Sequence, residues 1–169
     1  NSSWISSKGD FIHKFEKSFS KYTDIQNCLT VCNGTVALHL ALLSLGIGEN
    51  DEVIVPTLTY IASVNCIRYV GAKAVFIDSS INNWQASIQD IKKKITKKTK
   101  AIICVHLYGF AAPIKEIKKI ALENNLFLIE DCAEAIGTRV GGTHVGNFSD
   151  VATFSFYGNK TITTGEGGM

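Results

Sequence analysis

Apolar positions along this chain follow two rhythms that trade places. Short, nearly continuous runs, bounded by turn residues, alternate with longer stretches in which apolar residues recur every three or four positions. The short runs predict strands at 52–56 (EVIVP), 73–78 (KAVFID), 101–106 (AIICVH) and 126–131 (LFLIED). The longer ones predict helices over 36–45, over 59–70 with Tyr60 near its first turn, over 87–95, and over 113–124 with Pro113 near the first helical position. Upstream, after a polar opening, Phe11, Phe15, Phe19 and Tyr22 recur at helical spacing and predict a packing helix. Between that helix and 36–45, Cys28 to Cys32 (CLTVC) predicts a short buried strand, broken by Asn33-Gly34-Thr35. At the far end, Val151 and Thr153 to Phe156 read as a strand, Tyr157-Gly158-Asn159 as a turn, and Thr161 to Thr164 as a second β-prone run. Lys160 then sits at or near the tip of a hairpin-like turn.

Strands and helices alternate without a long break, which predicts an α/β domain around a mainly parallel sheet. There is no internal repeat. At 169 residues and 46% hydrophobic content, the chain is long enough for one substantial core. A net charge of +2 is too mild to point to nucleic acid or a membrane surface, and the basic run Lys92 to Lys100 reads as a solvated face. The five cysteines form no C-x-x-C pair and read as small buried hydrophobes in a reducing compartment. No histidine stands at ligand spacing from a cysteine, so no metal is expected. No signal peptide or long apolar span is visible, and the cytoplasm is the expected location. The start at Asn1 and the stop at Met169, just after a glycine-rich run, read as the bounds of a piece of a longer protein.

In open α/β sheets, ligands bind beyond the carboxyl ends of the strands. The polar residues that fall there are Asn33-Gly34-Thr35, Thr57 to Tyr60, His106 to Gly109, Glu130-Asp131 with Glu134, and Ser155 to Lys160. Singly, these read as a helix cap or a solvated lysine. Together they suit pyridoxal phosphate. Its aldehyde needs an amine, which Lys160 offers. Its ring nitrogen must stay protonated, which a buried Asp131 at the end of LFLIED would secure. Its phosphate suits the helix start at Gly34-Thr35 with help from Ser155, and Tyr60 could stack on the ring.

N-G-T-V-A-L at 33–38, D-E-V-I-V-P at 51–56, V-H-L-Y-G at 105–109, I-E-D-C-A-E-A at 129–135 and S-F-Y-G-N-K-T-I-T-T-G-E-G-G at 155–168 resemble the nucleotide-sugar aminotransferases. These are the DegT-type, fold-type I pyridoxal-phosphate enzymes. W-I-S-S-K-G at 4–9 and P-T-L-T-Y-I-A-S-V-N at 56–65 are most similar to its perosamine-forming branch. The resemblance implies a three-layer αβα sandwich with a mainly parallel mixed sheet, 1–169 being the large, cofactor-binding domain. It implies an amino-terminal lead-in and a small carboxyl-terminal domain beyond this stretch, and a homodimer with shared sites. It further implies ping-pong transfer of an amino group from L-glutamate to a 4-keto-6-deoxy nucleotide sugar. Carried onto matching positions, Lys160 would be the Schiff-base lysine and acid/base, and Asp131 the partner of the pyridinium nitrogen. Glu134, where relatives often carry Gln or His, would lie near the ring hydroxyl; Gly34, Thr35 and Ser155 would hold the phosphate, and Tyr60 would stack.

Other classes fit less well. A dinucleotide-binding dehydrogenase would want G-x-G-x-x-G after the first strand, and Gly34-Thr35-Val36 does not supply it. A P-loop hydrolase fails because Gly158-Asn159-Lys160-Thr161 lacks the adjacent Gly-Lys. Relatives that act as sugar dehydratases carry histidine at the position of Lys160. A non-catalytic, regulatory homologue that binds the cofactor is the remaining alternative.

Overall fold

The computed structural model describes residues 9–169; the W-I-S-S-K-G block, apart from Gly9, lies outside them. Helix α1 (Asp10–Thr23) leads to α2 (Gly34–Ser44), after which strands and helices alternate. They are β1 (Glu52–Pro56), α3 (Ala62–Tyr69), β2 (Lys73–Ile77), α4 (Ile88–Lys94), β3 (Thr99–Val105), α5 (Ile114–Glu123) and β4 (Phe127–Asp131). A small antiparallel pair, β5 (Arg139–Val140) with β6 (Thr143–His144), precedes the last strand, β7 (Val151–Thr153). Five strands form one sheet in the order β2-β1-β3-β4-β7, every neighbouring pair parallel.

The near-continuous apolar runs are needed because the central strands are covered on both sides. Val53 and Val55 of β1, Ala101 and Ile103 of β3 and Ile129 of β4 pack with Leu38, Leu42 and Ile67 of α2 and α3. The alternate residues Ile54, Ile102, Cys104 and Leu128 pack on Ile91, Ile114, Ile117 and Ile120 of α4 and α5. Helices therefore cover both faces, and the sandwich has three layers, as expected. The chain steps outward from β1 to β2 and then returns past β1 to β3. Between β1 and β3 the winding reverses, and beyond their carboxyl ends a crevice opens.

A third cluster holds α1 to the far end of the sheet. Phe19 meets Phe154 edge-on at 4.9 Å, and Phe15 meets Phe156 at 5.1 Å. Only the middle of the aromatic stripe is core, since Phe11 and Tyr22 are exposed.

Three sequence expectations need correction. CLTVC is not a buried strand: only Val31 bridges, exchanging two 2.9 Å backbone hydrogen bonds with Gly168, while Leu29 and Cys32 face solvent. The cysteines are thus divided, with Cys66, Cys104 and Cys132 buried, Cys28 partly so and Cys32 exposed. Second, 161–164 forms no strand; the antiparallel partner of the segment before Lys160 is Gly167 to Met169, with Phe154 and Met169 exchanging backbone hydrogen bonds at 2.8 and 3.1 Å, so Lys160 lies in the loop between them. The Thr163 hydroxyl donates to the Phe156 carbonyl and accepts the Gly165 N–H, so threonine side chains take up backbone groups that a ladder would use. Two isolated bridges span the loop, Ser155 with Gly168 antiparallel and Tyr157 with Gly165 parallel. Third, α3 begins at Ala62, so Tyr60 precedes the helix. No helix among the described residues is long and apolar enough to cross a membrane.

Candidate active site

A cavity of about 390 Å³ opens at the carboxyl ends of β1, β3, β4 and β7. Its size is that of a small-molecule site. Gly34, Thr35, Tyr60, Asp131, Glu134, Ser155 and Lys160 all line it, although they are spread over most of the chain.

One wall is the start of α2. Asn33 caps the helix by accepting the Val36 N–H on Oδ1 at 2.9 Å. The N–H groups of Gly34 and Thr35 donate to no acceptor among the described residues, which leaves them, with the positive end of the helix dipole, for an anion. Ser155, nearly buried, lies beside them. A side chain at position 34 would put Cβ 2.9 Å from Ser155 Cβ, so only glycine lets the helix start lie flush against the serine. Gly168 makes the same approach from the other side. A Cβ there would lie 2.4 Å from the Asn33 carbonyl carbon and 2.7 Å from the Gly34 nitrogen.

The opposite wall carries the acid. Asp131 ends β4 and is 5% exposed. Its Oδ2 accepts from Ser63 Oγ at 2.7 Å and its Oδ1 from the Ala133 N–H at 3.1 Å. Burial pushes this carboxyl above the ordinary aspartate range, against the pull of the Ser63 hydroxyl, the Ala133 N–H and the Lys160 charge.

Lys160 is brought in by the loop after β7, closed by its own N–H on the Tyr157 carbonyl at 3.0 Å. Its Nζ stands 3.7 Å from Glu134 Oε1. The other oxygen of Glu134 accepts the Tyr108 N–H at 2.8 Å. Tyr108 is held at φ 54°, a left-handed conformation uncommon outside glycine, in the turn that presents this N–H. The V-H-L-Y-G block thereby fixes the lysine's counter-ion. Tyr60, 72% exposed, lies open on the rim.

Behind the cavity, His106, Glu130 and Cys132 bring ligand-type atoms within 4.8 Å of one another. They do not make a metal centre. His106 Nδ1 accepts the Ala112 N–H at 3.1 Å, so the proton is on Nε2, which donates to Glu130 Oε1 at 3.0 Å. The Glu130 carboxylate also takes the N–H groups of Gly146 and Phe148. Burial holds the Cys132 thiol far above its ordinary value, and therefore protonated. The cluster ties the ends of β3 and β4 to two loops. Burial alone would raise the Glu130 carboxyl, but the His106 ring and the Gly146 N–H outweigh it and hold the carboxyl below the usual glutamate value of 4.5. A depressed folded value means stability that is complete above the unfolded value and lost as pH falls through the folded one. Glu130→Gln turns an NH₂ toward backbone donors and is expected to lower stability by about 2–4 kcal/mol. Urea unfolding at neutral pH measures this, and the deficit should shrink below pH 4.5 as the wild-type carboxyl is protonated.

All seven residues singled out in the sequence meet around one cavity, and Asn33 is the helix cap its place suggested, while Ser63, Thr59 and Gly168 were not assigned a role. Ser63 was legible only as the one hydroxyl among the buried positions Ala62, Ser63, Cys66 and Ile67 of α3. The donor set has the chemistry to take a flat cofactor with an anionic tail, an aldehyde and a basic ring nitrogen.

Known proteins agree with this geometry. Over 169 residues, the whole chain and 46% of the relative, it is 62% identical to "GDP-perosamine synthase" from Escherichia coli O157:H7, so it spans less than half of that relative's length. An aminotransferase from Psychrobacter cryohalolentis superposes with a TM-score of 0.93 at 38% identity, covering 95% of this chain and 41% of that one. A Bacillus subtilis protein, NtdA, solved with bound cofactor PMP, superposes with a TM-score of 0.90 at 31% identity over 95% of this chain and 36% of that one. The sequence of residues 1–169 matches one family throughout, and the site residues fall where its fold gathers ligands: the chain belongs to the DegT/DnrJ/EryC1/StrS aminotransferase family.

Proposed function

We propose that the full-length protein is a pyridoxal-phosphate-dependent aminotransferase that moves the amino group of L-glutamate to the keto carbon of a 4-keto-6-deoxy nucleotide sugar, in the manner of a GDP-perosamine synthase. The observation that carries this reading is the meeting of Lys160, Asp131 and the Gly34-Thr35 helix start, with Ser155, around one cavity. When bound, the cofactor supplies an aldehyde that condenses with amines and a protonated ring that takes up electrons. The N–H groups of Gly34 and Thr35, with the Thr35 and Ser155 hydroxyls, receive the phosphate charge. The Asp131 carboxylate keeps a proton on the ring nitrogen. Lys160 Nζ is the amine that meets the aldehyde, and it serves as base and acid at the substrate carbon. Glu134 would hold that amine in place near the ring hydroxyl, and Tyr60 would offer its aromatic face to the ring.

The perosamine-type substrate rests on the 62% identity to "GDP-perosamine synthase". The same proposal includes residues 1–169 as the cofactor-binding large domain, a homodimer with shared sites, and a cytoplasmic setting. Incubating the full-length protein with pyridoxal phosphate, L-glutamate and GDP-, UDP- and dTDP-linked 4-keto sugars tests it. The GDP sugar is expected to return as the amino sugar, identified by mass. Cofactor binding without amination of any of the three would favour the regulatory alternative.

A further inference from the structure

Asp131 does not face the cavity alone. Its Oδ2 accepts from Ser63 Oγ at 2.7 Å, across 68 residues of sequence, and Ser63 is fully buried. Ser63 Oγ also lies 3.0 Å from Thr59 Oγ1. A hydroxyl has one proton to give, and Ser63 gives it to the carboxylate, so the second contact is donated by Thr59. Thr59, half-buried, lines the cavity wall. A one-directional relay therefore runs from the wall through Ser63 to the acid. A serine this near a helix start commonly bonds its own helix backbone; here its proton crosses to the end of β4.

We infer that Thr59 and Ser63 are positioning residues that keep Asp131 ionised and fixed in orientation, so that its remaining lone pairs can hold the proton of a basic ring nitrogen. The relay itself stands on the geometry; its service to a ring nitrogen rests on the function proposed above. Its necessity follows from burial, which favours the neutral acid, while the hydrogen bond from Ser63 is the first of the influences opposing it. A protonated Asp131 would offer an O–H where the ring needs a negative partner. Hydroxyl donors to a carboxylate are stronger than neutral pairs, and each link shortens the next.

The test follows the Asp131 carboxyl directly. In full-length protein freed of cofactor and carrying ¹³C at its aspartate carboxyls, the Asp131 signal is assigned by its loss in Asp131→Asn and titrated by NMR. Ser63→Ala is expected to raise the titration midpoint by about one to two pH units. Thr59→Val, which keeps the side-chain shape, should raise it by about half a unit, and Thr59→Ser should restore it. Midpoints in Ser63→Ala and Thr59→Val within about 0.2 units of wild type would overturn the relay. Should Ser63→Ala fail to fold, the Thr59 pair decides the matter, because rescue by Thr59→Ser separates hydroxyl chemistry from packing. In the same samples, pyridoxal phosphate binding is followed by absorbance. Weakening by about tenfold in Ser63→Ala, deepening as pH falls and Asp131 takes up its proton, supports the ring-nitrogen role. Wild-type protein that titrates as described but binds no pyridoxal phosphate would leave the relay in place and overturn the proposed function.

Discussion

Replacing Lys160 by alanine is expected to leave the full-length protein folded and to reduce turnover on the order of 10³–10⁴-fold or more. Lys160 is the only lysine among the described residues that line the cavity, so no neighbouring amine can take its place. Its structural contribution is small. The side chain makes one ion pair at 3.7 Å with a partly exposed Glu134, a contact worth under about 1 kcal/mol. Melting temperature should therefore move little while activity collapses. Borohydride reduction of the loaded wild-type protein should fix the pyridoxyl group to the peptide that contains Lys160, and mass mapping reads the position. A label on another lysine, or a variant that keeps more than about a tenth of wild-type turnover, would remove Lys160 from the chemistry.

Much of this arrangement can be read in the sequence because burial imposes it. Val53 to Val55, the interior of AIICVH and Leu126 to Ile129 of LFLIED are apolar at successive positions because the sheet is covered twice, and their strands lie within about two residues of the expected bounds. The site residues were legible because strand ends in such a sheet share one rim. What was not legible depends on partners distant in the chain. CLTVC has the composition of a strand, yet only Val31 finds a backbone partner, at Gly168. The threonines after Lys160 carry high β propensity but bond the local backbone instead. Gly168 is one glycine of a turn-like run until the fold lays it on the Asn33-Gly34 peptide. Ser63 is a small helix residue until β4 brings Asp131 against it.

Asp131→Asn separates function from stability in the opposite sense to most core substitutions. The asparagine Oδ1 can still accept from Ser63 or Ala133, and the volume is unchanged, so the fold should persist. The sign of the stability change follows from the direction of the pKa shift. Burial raises the folded value above the ordinary 3.8, so the folded state binds this proton more readily than the unfolded chain. That contribution favours folding at low pH and is lost as pH rises through the folded value; at neutral pH the ionised carboxylate opposes folding. Removing the charge should leave thermal stability at neutral pH equal or higher. Turnover, in contrast, should fall on the order of 10²–10³-fold, because a neutral amide offers no charge to a protonated ring nitrogen. A titration of thermal stability between pH 3 and 8 and a kcat measurement on the same variant read the two arms. Lost stability with turnover within about threefold of wild type would make Asp131 a packing residue, and the convergence of acid, amine and anion site would lose its chemical meaning.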